Sequence, residues 1–217
     1  MFNPKKSTRE IAQPKAENAT NVLDLRVVTE DFARALAKID NSGAVHKQFR
    51  PGIGPFGEAA AVKASLEIMR AKRRDAYAKA KIKRQPDLLI PTQWQIEFKV
   101  VRPFGDNGKE AENWSQNLLH PYAGNTSLIG DCLKLVQSIR GEKKAIIAFG
   151  YEHSVPQISL DPCVQGFELL ATKMLGIRIA PRIEWRIGGL IHPVHQVVRV
   201  FAWEVLGRDF DALISKN

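Results

Sequence analysis

Residues 85–101 read QPDLLIPTQWQIEFKVV. Two short apolar runs flank a Pro-Thr-Gln turn, and a chain carrying this pattern has to fold around a β-hairpin. Side chains along a strand alternate between its two faces. Trp94, Ile96, Phe98 and Val100 therefore point one way, into an apolar layer, and Gln95, Glu97 and Lys99 point the other. Glu97 and Lys99 fall roughly 7 Å apart along the strand. Pairing of the two strands brings Asp87 towards the same end, so two acids and a lysine converge on one sheet face.

The flanks alternate between helical and strand periods. Thr29, Asp31 and Phe32 open a short helix, EDFARALAKI, stopped by Asn41-Ser42-Gly43. The segment RPGIGPFGE then leads into one long helical pattern over 58–81. It matches G-x-G-x-x-G formally, but AVHKQFRP before it is a poor strand and Pro55 sits inside it, so the match is accidental. Its expected job is to shape the approach to the helix. On that helix Val62, Leu66, Met69 and Tyr77 form an inward stripe, and Glu58, four before Val62, belongs to it. Thr126 or Ser127 caps a helix through Ile139, whose apolar positions include Leu128, Cys132, Leu135 and Ile139. AIIAFGY reads as a buried strand, Asp161-Pro162 opens a further helix closed by Gly176, and RIEWRIGG and HQVVRVFAWEVL read as strands. This alternation predicts an α/β fold, a sheet covered by helices. Residues 1–21, polar, basic and Pro-containing, are expected to be a flexible basic N-terminal arm to a single domain over 22–217.

Among the 217 residues, 32 Lys and Arg face 23 Asp and Glu, a net charge of +9 that favours a polyanionic partner. No apolar run approaches the length of a membrane span and the N-terminus has no signal-like apolar region, so the expectation is a soluble cytoplasmic protein with no membrane partner. Cys132 and Cys163 have no ligand spacing around them, which fits a reducing compartment and argues against structural zinc. Cys132 reads as core and Cys163 as structural.

Two carboxylates on one face suit a hard divalent cation such as Mg²⁺. Such a cation neutralises phosphate charge and lowers the pKa of a bound water, and a neighbouring lysine stabilises the transition state. The residues Pro86-Asp87 and, after nine intervening residues, Glu97-Phe98-Lys99, each in an apolar strand, resemble the PD-(D/E)xK nuclease superfamily with its restriction-endonuclease-like αβββαβ core. The resemblance covers about residues 56–150. It implies a mixed central sheet flanked by helices, Asp87 and Glu97 as metal ligands, the Phe98 carbonyl as a further ligand, Lys99 as the catalytic lysine and Glu58 as the helix acid that many members add. A C-terminal extension over 151–217, with an additional helix and strands, is not assigned by it. One departure is the lack of an evident first core strand before Asp87; either it is short, near AKIKRQ, or the long helix ends earlier. The function implied is a Mg²⁺-dependent endonuclease, with Mn²⁺ able to substitute, cutting DNA as a homodimer in restriction, phage defence or repair. RNA stays open as a substrate. The alternatives are a nucleic-acid-binding module that does not cut, and an assembly protein whose Glu97 and Lys99 form an exposed ion pair.

Other residues are candidates for nucleic-acid contact. Gln116, His120 and Asn125 follow the charged strand, although loop amides and histidines are ordinarily only solvated. Arg182, Glu184 and Arg186 alternate on one strand face and either track phosphates or form a surface ladder. Asp131 and Lys134 lie near an apolar helix stripe and read as buried partners rather than chemistry. His192 and His195 have turn-like spacing with no third ligand and read as ordinary loop residues.

Overall fold

The computed structural model describes residues 23–121 and 127–209. The expected arm over 1–21 and Asn125 lie outside these residues. Helix α1 (Leu25–Asn41) starts ahead of Thr29, because Asp24 is its cap and accepts the Arg26 N–H at 2.7 Å. Thr29 lies inside it and returns its hydroxyl to the Leu25 carbonyl at 2.7 Å. The stripe Leu25, Val28, Phe32, Leu36 and Ile39 is buried.

The single helix expected over 58–81 is instead α2 (Glu58–Lys72), a short α3 (Arg74–Tyr77) and strand β1 (Lys81–Ile82). Asp31 explains the break. Its fully buried carboxylate gathers Lys72 Nζ at 2.6 Å, Arg73 Nε at 2.8 Å and the Tyr77 hydroxyl at 3.0 Å. Arg73 leaves the helical region to reach it, with φ −132° and ψ 72°.

Strands β2 (Leu88–Ile90) and β3 (Trp94–Val101) pair antiparallel, Leu88 opposite Ile96 and Ile90 opposite Trp94. The turn between them is closed by the Gln93 N–H on the Ile90 carbonyl at 3.0 Å. β1 pairs antiparallel with β2 and supplies the strand that the sequence left unplaced. A short α4 (Gln116–Leu119) precedes α5 (Leu128–Gln137), which Ser127 caps by accepting the Gly130 N–H at 3.1 Å. α5 stops before Ile139, and that side chain, expected in the core, is wholly exposed. β4 (Lys143–Glu152) follows and runs parallel to β3. Helix α6 (Asp161–Leu169) continues as a π-helical turn over Leu170–Met174. Strands β5 (Ile177–Ile179), β6 (Ile183–Gly188) and β7 (Val197–Arg208) complete the described chain.

The result is an α/β fold on a mixed, open seven-stranded sheet ordered β1-β2-β3-β4-β7, with β5 and β6 both on the far edge of β7. Residues beyond 150 therefore build the same sheet, since β7 is the partner of β4. One apolar layer, under α1 and α2, contains Trp94, Ile96, Phe98, Phe149 and Val200. The other, under α5 and α6, contains Val101, Ile146, Cys132, Phe201 and Trp203. Each large side chain buried in these layers contributes about 1.5–3 kcal/mol. Cys132 and Cys163 are both free and buried. Among the described residues no helix is long and apolar enough to cross a membrane.

The Gly-rich segment does more than lead into α2. Asp40, fully buried, accepts the Ile53 N–H at 3.0 Å and the Ile191 N–H at 2.7 Å, tying that segment to the loop before β7. A Cβ at Gly54 would overlap the His195 ring. His192 and His195, expected to be ordinary loop residues, are both 1% exposed and stack at 4.5 Å. His192 Nδ1 accepts the Val194 and His195 amides, so its proton sits on Nε2 and goes to Asp106 at 2.8 Å. His195 Nε2 meets the Phe104 carbonyl at 2.9 Å and acts as the donor there.

Burial pushes the His195 pKa down to about 4. The unfolded chain, with a histidine near ~6.5, takes up that proton first. The stability His195 contributes is therefore full above pH ~6.5 and is lost as pH falls towards 4, by up to about 3 kcal/mol. Urea unfolding between pH 7 and pH 4 should show this slope, flattened in His195→Asn. Equal slopes in the two proteins would exclude His195 as the source.

Candidate active site

The faces read from the sequence are those of the fold. Continuing the β2–β3 register by one step sets Asp87 opposite Glu97 on the face covered by α5. This face is not half-exposed: Gln95 is 1%, Glu97 4% and Lys99 9% exposed. An exposed ion pair is therefore not what Glu97 and Lys99 form.

Three of the carboxylates, of Asp87, Glu58 and Asp131, are held by the backbone or by a lysine. Asp87 Oδ2 accepts the Phe98 N–H at 2.8 Å, which fixes the end of β2 against the middle of β3. Glu58, on the first turn of α2, reaches the same strand and accepts the Val100 N–H through Oε2 at 2.9 Å. Its Oε1 lies 3.5 Å from Lys99 Nζ. Lys99 Nζ also lies 3.1 Å from Asp131 Oδ2, and Asp131 Oδ1 takes Lys134 Nζ at 2.7 Å. Two oxygens of the cluster are buried without a hydrogen-bond partner: Asp131 Oδ2, which meets Lys99 as an ion pair only, and Glu97 Oε1, which forms no ion pair among the described residues.

The electrostatics follow from that crowding. Burial raises the pKa of Glu58 and of Asp87 above the ordinary carboxylate range, against the opposing pull of Lys99 and of backbone amides. Glu97 is pushed up to about 8, first by burial and then by Asp87 and Asp131 beside it. Burial works against the Lys99 ammonium, but Glu58, Asp131 and Asp87 outweigh it and hold its pKa above the ordinary lysine value. Lys99 is thus a fixed ammonium, a donor rather than a base. Four carboxylates, of Glu58, Asp87, Glu97 and Asp131, surround two ammonium groups, of Lys99 and Lys134. The excess of acid, the hard oxygen donors and the orphaned Glu97 oxygen together fit a divalent cation. As the side chains stand, no three His, Cys, Asp or Glu among the described residues already enclose an ion.

A groove of about 540 Å³ opens beside Glu97, lined by Gln85, Gln95, Lys134, Ser138 and Arg140. Gln95 is pinned at its floor by the Ser138 hydroxyl at 2.8 Å. Ile139 stands on its rim.

The fold brings Glu58, Asp87, Glu97, Phe98 and Lys99 together, and it adds Asp131. The sequence signal for Asp131 was its place between Leu128 and Leu135 on the inward stripe of α5, which marked it as buried without naming its partner. Gln116 is exposed on α4 and lines a second cleft with Arg102 and Trp114 at the end of β3. His120 closes α4, and its carbonyl accepts the Ser127 hydroxyl at 2.6 Å. Arg186 stands on β6 and Arg182 immediately before it, three strand spacings or roughly 14 Å from β3. Between them Glu184 binds Arg199 at 2.7 Å, and Arg199 also meets Asp161 at 2.6 Å and the buried Glu152 at 3.4 Å. Arg182 lies 3.7 Å from Glu168 within this network. These ion pairs favour the ladder over the phosphate track for Arg182; Arg186 is exposed.

No family model, curated protein or solved structure matches the chain.

Proposed function

We propose that this chain is a Mg²⁺-dependent nuclease of the PD-(D/E)xK kind, hydrolysing phosphodiester bonds in DNA. The observation that carries the reading is the buried Glu97 carboxyl beside Asp87, one of its oxygens without a hydrogen-bond partner, on the same strand face as a lysine kept charged. Asp87, Glu97, Glu58 and the Phe98 carbonyl would hold the cation, which supplies charge neutralisation at the phosphate and an acidified water. Lys99 donates to the phosphate oxygens as charge builds on them, from a position that needs no reorganisation. Burial beneath α5 strengthens that donation by excluding water from around it.

The order of helix, three antiparallel strands, helix and parallel strand between Glu58 and Glu152 supports a restriction-endonuclease-like core. The charge of +9 supports DNA as the partner. A restriction-type enzyme cutting both strands as a homodimer suits these features.

The test is incubation of supercoiled plasmid with the purified chain in Mg²⁺, in Mn²⁺ and in chelator. Nicked and linear products are expected with either metal and none with chelator. Salt-sensitive retention of DNA without cutting, on plasmid, linear and single-stranded substrates alike, would replace the nuclease with a binding module.

A further inference from the structure

We propose that Asp131 is a positioning residue for the nuclease reaction, holding the Lys99 ammonium over the acid pair. This rests on the nuclease reading above and extends it to a residue outside the sequence motif.

The four-carbon stem of Lys99 is rich in rotamers, so a useful ammonium has to be tied down. Two carboxylates touch it, Glu58 at 3.5 Å and Asp131 at 3.1 Å. Glu58 is already committed through Oε2 to the Val100 amide, and as a metal ligand it would be drawn from Lys99 further. Asp131 is then the tether that remains. Its side chain is 4% exposed, its backbone is fixed by the Asp131 N–H on the Ser127 carbonyl at 2.9 Å, and Ser127 caps the same helix. α5 thus delivers one carboxylate to one place on β3.

The second oxygen of Asp131 has a different environment. It takes Lys134, whose side chain is 37% exposed and lines the groove beside Glu97. Lys134 can be rehydrated when it leaves, whereas Lys99, 11% exposed, cannot. The pair that matters to geometry is therefore the buried one. A role confined to charge balance would be met by any nearby acid. A positioning role needs the carboxylate at this site on α5.

The test uses the full chain with Asp131→Asn, which keeps the shape and removes the charge, and Asp131→Glu, which keeps the charge. Plasmid cutting gives kcat and KM, and a brief pulse of acetic anhydride followed by mass spectrometry gives the acylation rate of Lys99. Asp131→Asn is expected to lower kcat about 100-fold with KM within about twofold, since misplacing a reacting group by about an ångström has that effect. Lys99 in that variant should acylate at least several-fold faster, and Asp131→Glu should restore most of both readouts. Wild-type kcat in Asp131→Asn, a change in KM alone, or an unaltered Lys99 acylation rate would each overturn the proposal. Should Asp131→Asn melt below the assay temperature, Asp131→Glu decides: cutting within about tenfold of wild type, with Lys99 still protected, supports the tether. Loss of both in that folded variant sinks it. If the wild-type chain cuts nothing, the nuclease reading has failed and the catalytic role with it. The acylation rates then decide separately whether Asp131 holds Lys99.

Discussion

Lys99→Ala is expected to lower metal-dependent cutting about 1,000-fold while leaving DNA affinity within a few-fold of wild type. The first figure is that for removing one preorganised donor from a water-poor site. The second follows because affinity for a polyanion is shared over many surface charges, and Lys99 is one buried cation among 32 Lys and Arg. The variant also removes the ammonium beside Glu58 Oε1 and one of the two ammonium groups on Asp131. Breaking buried ion pairs from one side is destabilising by about 3–5 kcal/mol. Thermal melting should therefore be run first and the rates compared where both proteins are folded. Cutting by folded Lys99→Ala at a rate near wild type would remove Lys99 from the mechanism.

The second large effect reverses the usual sign of an active-site substitution. Glu97→Gln should stabilise the metal-free protein above pH 8. The folded pKa of Glu97 is raised to about 8, above its ordinary unfolded value. A raised carboxyl contributes stability at low pH, below the unfolded pKa, and loses it as pH rises through the folded one. Glutamine carries no such penalty. Each pKa unit corresponds to about 1.4 kcal/mol, and because Glu97 titrates together with Asp87 only part of the shift belongs to it. A gain of about 2 kcal/mol at pH 9 is expected, or roughly 5 °C in melting temperature for a chain of this size. Adding Mn²⁺ should invert the order, raising the melting temperature of wild type and not of Glu97→Gln. A variant that melts at or below wild type in chelator at pH 9, and gains as much from Mn²⁺, would show that Glu97 neither strains the metal-free site nor binds a cation there.

Much of this site could be read from residues 85–101 because strand alternation is a local rule. A period of two sorts Trp94, Ile96 and Phe98 from Gln95, Glu97 and Lys99 without reference to the rest of the chain. The short turn after Ile90 sets the register that places Asp87 opposite Glu97. Glu58 followed from helical spacing in the same way. What escaped the sequence depends on contacts between distant elements. The end of α2 is decided by Asp31 on another helix, and nothing near Arg73 announces it. β1 has only Lys81 and Ile82, both exposed, too few for any period to appear. Asp131 could be marked as buried, but its pairing with Lys99 exists only once α5 lies across β3. The two histidines look like loop residues because their burial comes from the Gly54 segment and the Phe104 loop, both remote in sequence.

The placement of β7 has a consequence for the order in which the molecule can assemble. α1 leans on β6 and β7, and Asp40 near its end is bonded to an amide 151 residues downstream. During synthesis the apolar stripe of α1 is made long before the strands that cover it. Pairings so remote in sequence close slowly. For that interval the part of α1 that α2, Phe98 and Phe149 do not cover stays open, and the growing chain keeps that apolar surface exposed until Val197–Arg208 arrives.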